Sequence, residues 1–389
     1  MIIKPRVRGF ICTTAHPVGC AANVNAQIEY VRSQGPIEGG PGNVLIVGAS
    51  SGYGLASRVV SAFGSGAKTL GVCFEKEPSE TRTATAGYYN DQAFRRAAGE
   101  AGLFAETLNA DGFADETRAQ AMAQIREHMG PIDLVVYSMA SPVRRHPRSG
   151  ELHRSAIKPM GEVFHVKSLN LDTGEVVEVD LEPASPEELY DTVVVMGGED
   201  WEYWMEALSE AGLLAPNCAS VAYTYIGSEL TWPIYWHATL GKAKEDLDRA
   251  ARSIQQRLSG TLAKVAVLKF VVTQASAAIP VVPLYGSLLL PVMKEKGIHE
   301  DPIGHISRLF RTQLYGPGEM RVDEAGRVRM DDLELRDDVQ EEVKRRWSQV
   351  TTENLSELSD FAGFRREFLK IFGFGVDGVD YDADVSPLG

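Results

Sequence analysis

The chain lacks a hydrophobic run long enough to cross a membrane. The most apolar stretch of its 389 residues, 277–293, is interrupted by Pro280, Pro283 and Pro291. It falls short of the ~20 residues that a transmembrane helix needs. The charged N-terminal segment also has no apolar core long enough for a secretory signal. We therefore expect a protein that is not embedded in a membrane and that resides in the cytoplasm.

Cysteine is scarce and follows no pattern. The sequence has no C-x-x-C pair and no metal-finger spacing among Cys12, Cys20, Cys73 and Cys218. His16 lies between the first two, but this spacing matches no common metal site, so we predict no metal. Thiols without a pairing pattern are typical of a reducing compartment, which again favours the cytoplasm.

The sequence also has no stripe of basic residues. It carries 39 basic against 53 acidic residues, a net charge of −14. A nucleic-acid-binding surface needs clustered Lys and Arg to neutralise phosphates, so we expect no nucleic-acid partner. Apolar residues make up 44% of the chain, enough to bury a sizeable core.

Short apolar runs alternate with amphipathic stretches, as strands and helices do in a parallel sheet. We predict strands at Asn43–Val47, 69–74, 102–108, Ile132–Tyr137 and 265–272. Helices are predicted after the first strand through Phe63 and at 91–101, 115–128, 186–195, 200–211, 240–258, 335–349 and 358–372. The arm before residue 43 reads as irregular. The fold class is therefore α/β, a Rossmann-type doubly wound parallel sheet.

Two insertions into this pattern are predicted to be β-hairpins. One pairs 164–171 with 175–181, and the other pairs 320–322 with 327–330. With no linker or internal repeat, we expect one large domain over 1–389. Its core spans 43–275 with an inserted segment at about 150–215, and extra helices form a C-terminal extension over 276–389.

A glycine-rich turn follows the first strand and opens a helix. Gly48, Gly52 and Gly54 can adopt positive φ and let a pyrophosphate approach the backbone, while the helix N-terminus presents free N–H groups. Ser50 and Ser51 add hydroxyl donors. Glycine turns also occur for steric reasons alone, but this position after a buried strand favours a dinucleotide site.

Side chains at the ends of the next strands complete the predicted site. Glu75 can accept hydrogen bonds from both adenosine ribose hydroxyls and would repel a 2′-phosphate, which favours NAD(H) over NADP(H). Lys76 could partly offset that charge, and Glu75 could also be an ordinary solvated acid. Asp111 is placed to contact the adenine, and residues 138–141 are placed beside the nicotinamide.

Tyr235 precedes a predicted helix that contains Lys244. A free phenol has a pKa near 10, and a nearby ammonium would lower it while also holding the nicotinamide ribose. Nine helical steps would separate the two residues by about 13 Å, so we place Tyr235 in the preceding loop, folded back towards Lys244. The alternative is a buried aromatic and an unrelated surface lysine.

In combination, these motifs resemble the trans-2-enoyl reductase family, the FabV-type enoyl-acyl-carrier-protein reductases and related enoyl-CoA reductases. The similarity includes GASSGYG (48–54), Glu75, SMAS (138–141), VTQASAAIP (272–280) and the opening MIIKPRVRGFICTTAHPVGC, so it covers essentially the whole chain. Eight residues separate Tyr235 from Lys244, which distinguishes this family from short-chain dehydrogenases with three and commoner enoyl reductases with six.

The resemblance implies that NADH gives hydride to the β-carbon of a 2,3-unsaturated acyl thioester. It implies that Tyr235 stabilises the developing enolate, that Lys244 binds the cofactor ribose, and that Tyr225 contacts the substrate near its carbonyl. The apolar 277–293 segment would form a lid over the acyl chain, or else a plain core helix. The predicted cofactor-binding residues are Gly48, Ala49, Ser50, Ser51, Gly52, Tyr53, Phe74, Glu75, Asp111, Gly112, Met139, Ala140, Lys244, Thr273, Gln274 and Ala275.

Two other functions stay open at this point. A carbonyl or alcohol dehydrogenase would use the same tyrosine and lysine, and a non-catalytic NAD(H) sensor would need neither. The carrier also stays open between acyl carrier protein and coenzyme A. An arginine cluster in the sequence could meet either carrier, or could be a solvated loop: Arg144, Arg145, Arg148 and Arg154. We expect a monomer, because the large insertions would block the usual oligomer faces of this fold class.

Overall fold

Seven parallel strands form the central sheet of the computed structural model, which describes residues 1–389. In chain order the strands of the whole chain are β1 (Val7–Arg8), β2 (Ile11–Cys12), β3 (Asn43–Val47), β4 (Lys68–Cys73), β5 (Ala105–Asn109), β6 (Ile132–Tyr137), β7 (Val143–Arg145), β8 (Leu152–Arg154), β9 (Phe164–Leu169), β10 (Val176–Leu181), β11 (Leu214–Thr224), β12 (Leu262–Val267) and β13 (Val328–Arg329). The central sheet has the order β13-β12-β11-β6-β3-β4-β5. This is the order of a doubly wound Rossmann sheet with one further strand at the edge, so the predicted fold class is confirmed.

Helices connect the strands and cover the sheet. They are α1 (Pro17–Ser33), α2 (Gly52–Val59), α3 (Ala86–Glu100), α4 (Asp115–Gln124), α5 (Pro186–Met196), α6 (Glu199–Glu210), α7 (Thr239–Arg257), α8 (Gln274–Ala278), α9 (Val282–Glu295), α10 (Pro302–Leu309), α11 (Asp337–Gln349), α12 (Leu355–Leu358) and α13 (Phe361–Ile371). Single π-helical turns continue α2, α4 and α10. None of the helices combines the length and the apolar character that a membrane crossing requires.

The central strands are apolar on both faces because helices pack on both faces. In β3, Val44 and Ile46 pack with α1, α2, α3 and α10, whereas Leu45 and Val47 pack with α4, α6 and α7. A third hydrophobic cluster joins α9, α11 and α13. The strand order reverses between β3 and β6, and a doubly wound sheet opens a crevice at the carboxyl ends of its strands at that point.

Most predicted strands are confirmed, with shifted ends. β3 and β6 have the predicted bounds, and the hairpin of β9 and β10 pairs Leu169 with Val176. The strand predicted at 265–272 corresponds to β12, but β12 begins earlier and ends at Val267. After Val267 the chain leaves the sheet and lines a cavity.

The second predicted hairpin is confirmed only as a tight turn, in which Asp323 N donates to Arg327 O at 2.9 Å. Val328 pairs with Ala266 of β12 in parallel, so β13 extends the central sheet. A single antiparallel bridge between Val322 and Val328 is all that remains of the predicted pairing.

The prediction of an irregular N-terminal arm is also wrong. It contains α1, which begins at Pro17, where proline needs no hydrogen bond for its missing N–H. His16 caps the helix, because its Nδ1 accepts a hydrogen bond from Gly19 N at 3.1 Å. Histidine is an uncommon cap, which hid this start.

Candidate active site

A cavity of about 1230 Å³ lies at the carboxyl ends of the parallel strands. Residues that follow β3, β4, β5, β6 and β12 line it. Of the predicted cofactor-binding residues, all but Ala49 and Lys244 line this cavity: Gly48, Ser50, Ser51, Gly52, Tyr53, Phe74, Glu75, Asp111, Gly112, Met139, Ala140, Thr273, Gln274 and Ala275. Residues that were predicted from separate segments of the sequence therefore lie together in one site.

The three glycines of the turn have different roles. A Cβ on Gly48, where φ is +91°, would lie 2.2 Å from Ser138 O, and a Cβ on Gly54 would lie 1.8 Å from Gly48 O. These two glycines therefore permit close backbone packing. Gly52 has φ +52° and no heavy atom within 4 Å of a Cβ. It leaves open space in front of the first turn of α2, where an anion would sit.

Glu75 is held in place by side chains from two neighbouring segments. Ser50 Oγ donates to Glu75 Oε1 at 2.6 Å. Asn109 accepts from Glu75 N at 2.7 Å and donates to Glu75 O at 3.0 Å. Asn109 was not predicted, although its position at the end of β5 could have indicated it. The second carboxylate oxygen of Glu75 is available to a ribose hydroxyl.

The other walls of the cavity are built from short local motifs. Asp111 Oδ1 accepts from Phe113 N at 3.0 Å, which fixes the carboxylate at the end of β5. Phe74 has 78% of its surface exposed, so its ring is available for stacking. Thr273 accepts from Ser276 N at 2.9 Å and its own N–H donates to Ser276 Oγ at 2.8 Å, a reciprocal cap of α8.

Tyr235 lies in the loop before α7, as predicted. Its N–H donates to Thr231 O and its carbonyl accepts from Gly241 N, both at 2.9 Å. A Cβ on Gly241 would lie 1.7 Å from Trp236 O. The loop is thus folded back on the first turn of the helix, and glycine at 241 permits that approach.

The expected lowering of the Tyr235 pKa by Lys244 is wrong. Burial raises the pKa of Tyr235 above its ordinary value, and burial lowers the pKa of Lys244 to about 8. Desolvation disfavours the charged form of each group and dominates here. Burial therefore favours the protonated form of the Tyr235 hydroxyl.

Tyr225 and Tyr235 pack against each other behind the cavity wall. Their ring centroids lie 5.0 Å apart at an interplanar angle of 77°. Neither ring lines the large cavity, and Lys244 does not line it either, whereas Phe270 does and lies edge-on to Tyr225 at 6.5 Å. Tyr225 Oη donates to Glu334 Oε1 at 2.8 Å, a partner that the sequence did not indicate.

The arginine cluster seen in the sequence is not one surface patch. Arg144 is buried, and its guanidinium donates to Glu199 at 2.9 Å and to Val194 O at 2.7 Å. Arg145, Arg148 and Arg154 are exposed. Arg144 thus has a structural role, and only the other three can meet a partner.

A doubly wound parallel sheet, a glycine turn that opens on a cavity, and a clamped carboxylate after the second strand define a dinucleotide-binding α/β protein. Three family models match this chain. They are the NAD(P)H binding domain of trans-2-enoyl-CoA reductase over residues 2–80, the trans-2-enoyl-CoA reductase catalytic region over 82–315, and the enoyl reductase FAD binding domain over 322–385.

Curated relatives and solved structures agree with these matches. The chain is 58% identical over its full length to enoyl-acyl-carrier-protein reductase (NADH) of Edwardsiella ictaluri, of which it covers 98%. It is equally similar to the FabV enzyme of that name from Aeromonas salmonicida, also with 98% coverage. The structure matches trans-2-enoyl-CoA reductase of Treponema denticola in complex with NAD, with a TM-score of 0.96, 47% identity and 99% and 98% of the two chains covered. The chain belongs to the trans-2-enoyl-CoA reductase family.

The segment matched by the FAD-binding model does not fit a flavin dinucleotide. Its strand, β13, is two residues long and leads into Asp331 and Asp332, where a pyrophosphate would need free N–H groups. Both carboxylates are bonded to arginines, Asp331 to Arg329 and Asp332 to Arg308. This segment therefore offers no site for the pyrophosphate of a flavin dinucleotide.

Proposed function

We propose that this protein reduces the C2=C3 double bond of trans-2-enoyl thioesters with NADH, the last reductive step of fatty-acid elongation. The full-length 58% identity to a relative named as an NADH-dependent enoyl-acyl-carrier-protein reductase carries this proposal. The cavity at the strand ends supports the cofactor half of this proposal, since most of the predicted cofactor-binding residues line it.

The cofactor, when bound, supplies a hydride for the β-carbon of the substrate. The turn at Gly48–Gly54 would hold its pyrophosphate, because Gly52 leaves room before the N-terminus of α2. Glu75 would accept the adenosine ribose hydroxyls and Phe74 would stack on the adenine. Thr273, Gln274 and Ala275 would contact the cofactor from the end of β12.

Tyr235 would act on the thioester side of the reaction. As hydride adds at C3, negative charge develops on the carbonyl oxygen, and a neutral phenol can donate a hydrogen bond to it. Burial keeps the Tyr235 hydroxyl protonated, which suits this role. Protonation of C2 then completes the saturated product. Lys244 would donate to the ribose hydroxyls of the cofactor.

The decisive experiment compares wild type with Tyr235→Phe, using crotonyl-CoA and following the loss of NADH. We expect turnover in wild type and a fall of roughly 10²-fold in kcat for the variant, with unchanged NADH affinity. An inert wild type that still binds NADH would contradict the reductase proposal and favour a sensor. Turnover of a carbonyl substrate instead would favour the dehydrogenase.

For the carrier, we propose acyl carrier protein, met by the exposed arginines. Arg145 lines the cavity, and Arg148 and Arg154 are exposed nearby in sequence. Charge reversal at Arg145 should raise KM for crotonyl-acyl-carrier-protein more than KM for crotonyl-CoA, since the acidic surface of a carrier protein engages more charges. Equal changes would favour coenzyme A.

We further propose a cytoplasmic monomer. All four cysteines are free and buried, which suits a reducing compartment. The chain has extra elements between β6 and β11 and after β12, and we expect them to block the helix faces that this fold class uses for assembly. Light scattering of the purified protein tests the monomer, and a mass above one chain would contradict it.

A further inference from the structure

Glu334 is a buried carboxylate that joins four segments at the tyrosine pair. It is 0% exposed and follows β13 in the chain. Its Oε1 accepts from Tyr225 Oη and from Tyr285 Oη, both at 2.8 Å, and its Oε2 accepts from Phe270 N at 2.6 Å. We propose that Glu334 is a positioning residue for the reaction, acting through Tyr225; this inference rests on the proposed reductase function.

The hydrogen bonds of Glu334 fix the direction of the Tyr225 hydroxyl. A phenol has one proton, and the Tyr225 proton is directed at the carboxylate. The Tyr225 oxygen therefore faces its other neighbours with lone pairs. This arrangement sets which groups Tyr225 can accept from, and it holds the ring in one orientation.

The orientation of Tyr225 sets that of Tyr235. The two rings pack edge to face with centroids 5.0 Å apart, a geometry that couples their positions. On the other side, Phe270 lies edge-on to Tyr225, and its N–H donates to the same carboxylate. Glu334 thus connects the cavity wall at Phe270 with the proposed oxyanion donor at Tyr235.

Burial without a direct ion pair makes this carboxylate dependent on its donors. Burial raises the pKa of Glu334, whereas the three hydrogen bonds and the charge of nearby Lys269 act against this rise and stabilise the ionised carboxylate. A backbone amide cannot rotate away, so the carboxylate stays fixed to Phe270 while the two phenols are fixed to it. Tyr285 is held in turn by Gln340 Nε2 at 3.1 Å.

Glu334→Gln tests the proposal because glutamine keeps the shape of the side chain but replaces one acceptor oxygen with an NH2 donor. With its carbonyl facing Phe270 N, the amide NH2 donates to both phenols, so the Tyr225 proton points elsewhere. We expect kcat with crotonyl-CoA to fall roughly 10- to 100-fold, the scale of a misplaced catalytic group, with NADH affinity unchanged. Asp331→Asn is the matched control, since Asp331 is a buried carboxylate three residues away that bonds Arg329.

A double-mutant cycle with Tyr225→Phe separates positioning from stability. If Glu334 acts through Tyr225, the double variant has the kcat of Tyr225→Phe alone. Three results would overturn the proposal. They are a double variant in which the two single reductions of kcat multiply, an unchanged kcat in Glu334→Gln, and an equal loss of kcat in Asp331→Asn. If Glu334→Gln does not fold, Glu334→Asp enters the same cycle; failure of both to fold assigns Glu334 to stability alone and overturns it too.

The reductase function and this inference fail in different ways. An inert wild type on crotonyl-CoA overturns both. An active wild type whose variants multiply their effects overturns only the role of Glu334.

Discussion

Ser50 donates a hydrogen bond to Glu75 at 2.6 Å, which joins the phosphate turn after β3 to the carboxylate after β4. The serine thereby occupies one oxygen of Glu75 and leaves the other for a ribose hydroxyl. A 2′-phosphate in the same place would meet the full negative charge of the carboxylate. We therefore expect these two neighbouring loops to favour NADH over NADPH.

Removing this charge should relax the preference for NADH. For Glu75→Gln we expect the ratio of kcat/KM for NADH to that for NADPH to fall roughly tenfold, about 1.4 kcal/mol. Glu77→Gln makes the same change in charge at an exposed position outside the cavity and should leave the ratio unchanged. An unchanged ratio in Glu75→Gln would show that the carboxylate does not face the ribose.

Gly241→Ala should displace the Tyr235 loop. The new Cβ would lie 1.7 Å from Trp236 O, so the backbone must shift, at a cost of about 1–3 kcal/mol in the free energy of unfolding. We expect kcat to fall while the NADH affinity measured by fluorescence is retained. Gly99→Ala, on an exposed helical glycine with nothing within 4 Å, should be neutral or stabilising. Loss of NADH binding in Gly241→Ala would count against a local effect.

The activity should depend on the protonation of Lys244. Burial lowers its pKa to about 8 in the free protein, so the ammonium is present below pH 8 and is lost as the pH rises above it. Since kcat/KM reports the free enzyme, kcat/KM for NADH should decline above about pH 8. In Lys244→Arg the guanidinium stays charged and the decline should vanish. Lys242→Arg, on a partly exposed lysine paired with Glu245, serves as the control and should keep it.

Glu300 should make the fold sensitive to acid. Burial alone would raise its pKa, but hydrogen bonds from His305 and Arg308 outweigh burial and lower it to about 2. The folded pKa lies below the unfolded value of 4.5, so this stabilisation is present above pH 4.5 and is lost as the pH falls towards 2. Because water screens part of this interaction, the full effect is about 1–2 kcal/mol.

Chemical unfolding of Glu300→Gln at several pH values checks this prediction. The variant should be less stable than wild type at pH 6, and the difference should shrink as the pH falls. Glu341→Gln, on an exposed carboxylate, provides the control. A difference that stays constant with pH would show that the ionised carboxylate does not stabilise the fold.

The sheet was predictable where strands are buried on both faces. β3 and β6 are short apolar runs, and their bounds follow from the sequence alone. β11 escaped prediction because Pro216 and Asn217 interrupt it, the latter at φ +62°, and its register shifts between Leu214 and Ala219. The local sequence favours a loop at these residues, but pairing with both β6 and β12 holds the segment in the sheet.

The site was predictable where its residues belong to local motifs. The glycine turn and the strand ends are recognisable from the local sequence, so most residues of the cofactor cavity could be predicted from them. No local motif indicates Glu334. It is 109 positions from Tyr225 in the sequence, and the two side chains come into contact only when β13 reaches the sheet edge. The pKa of Tyr235 was also beyond prediction, since its burial depends on packing against residues that are far away in the sequence.

The late arrival of β13 at the sheet edge has a consequence for synthesis of the chain. Until Val328 pairs with Ala266, the open side of β12 has unpaired N–H and C=O groups, which invite association with other strands. Because β13 is the last strand in chain order, every other strand of the sheet has already been synthesised when β13 emerges. The nascent chain therefore carries a nearly complete sheet whose edge at Ala266 and Val267 is still uncovered and open to association with other strands.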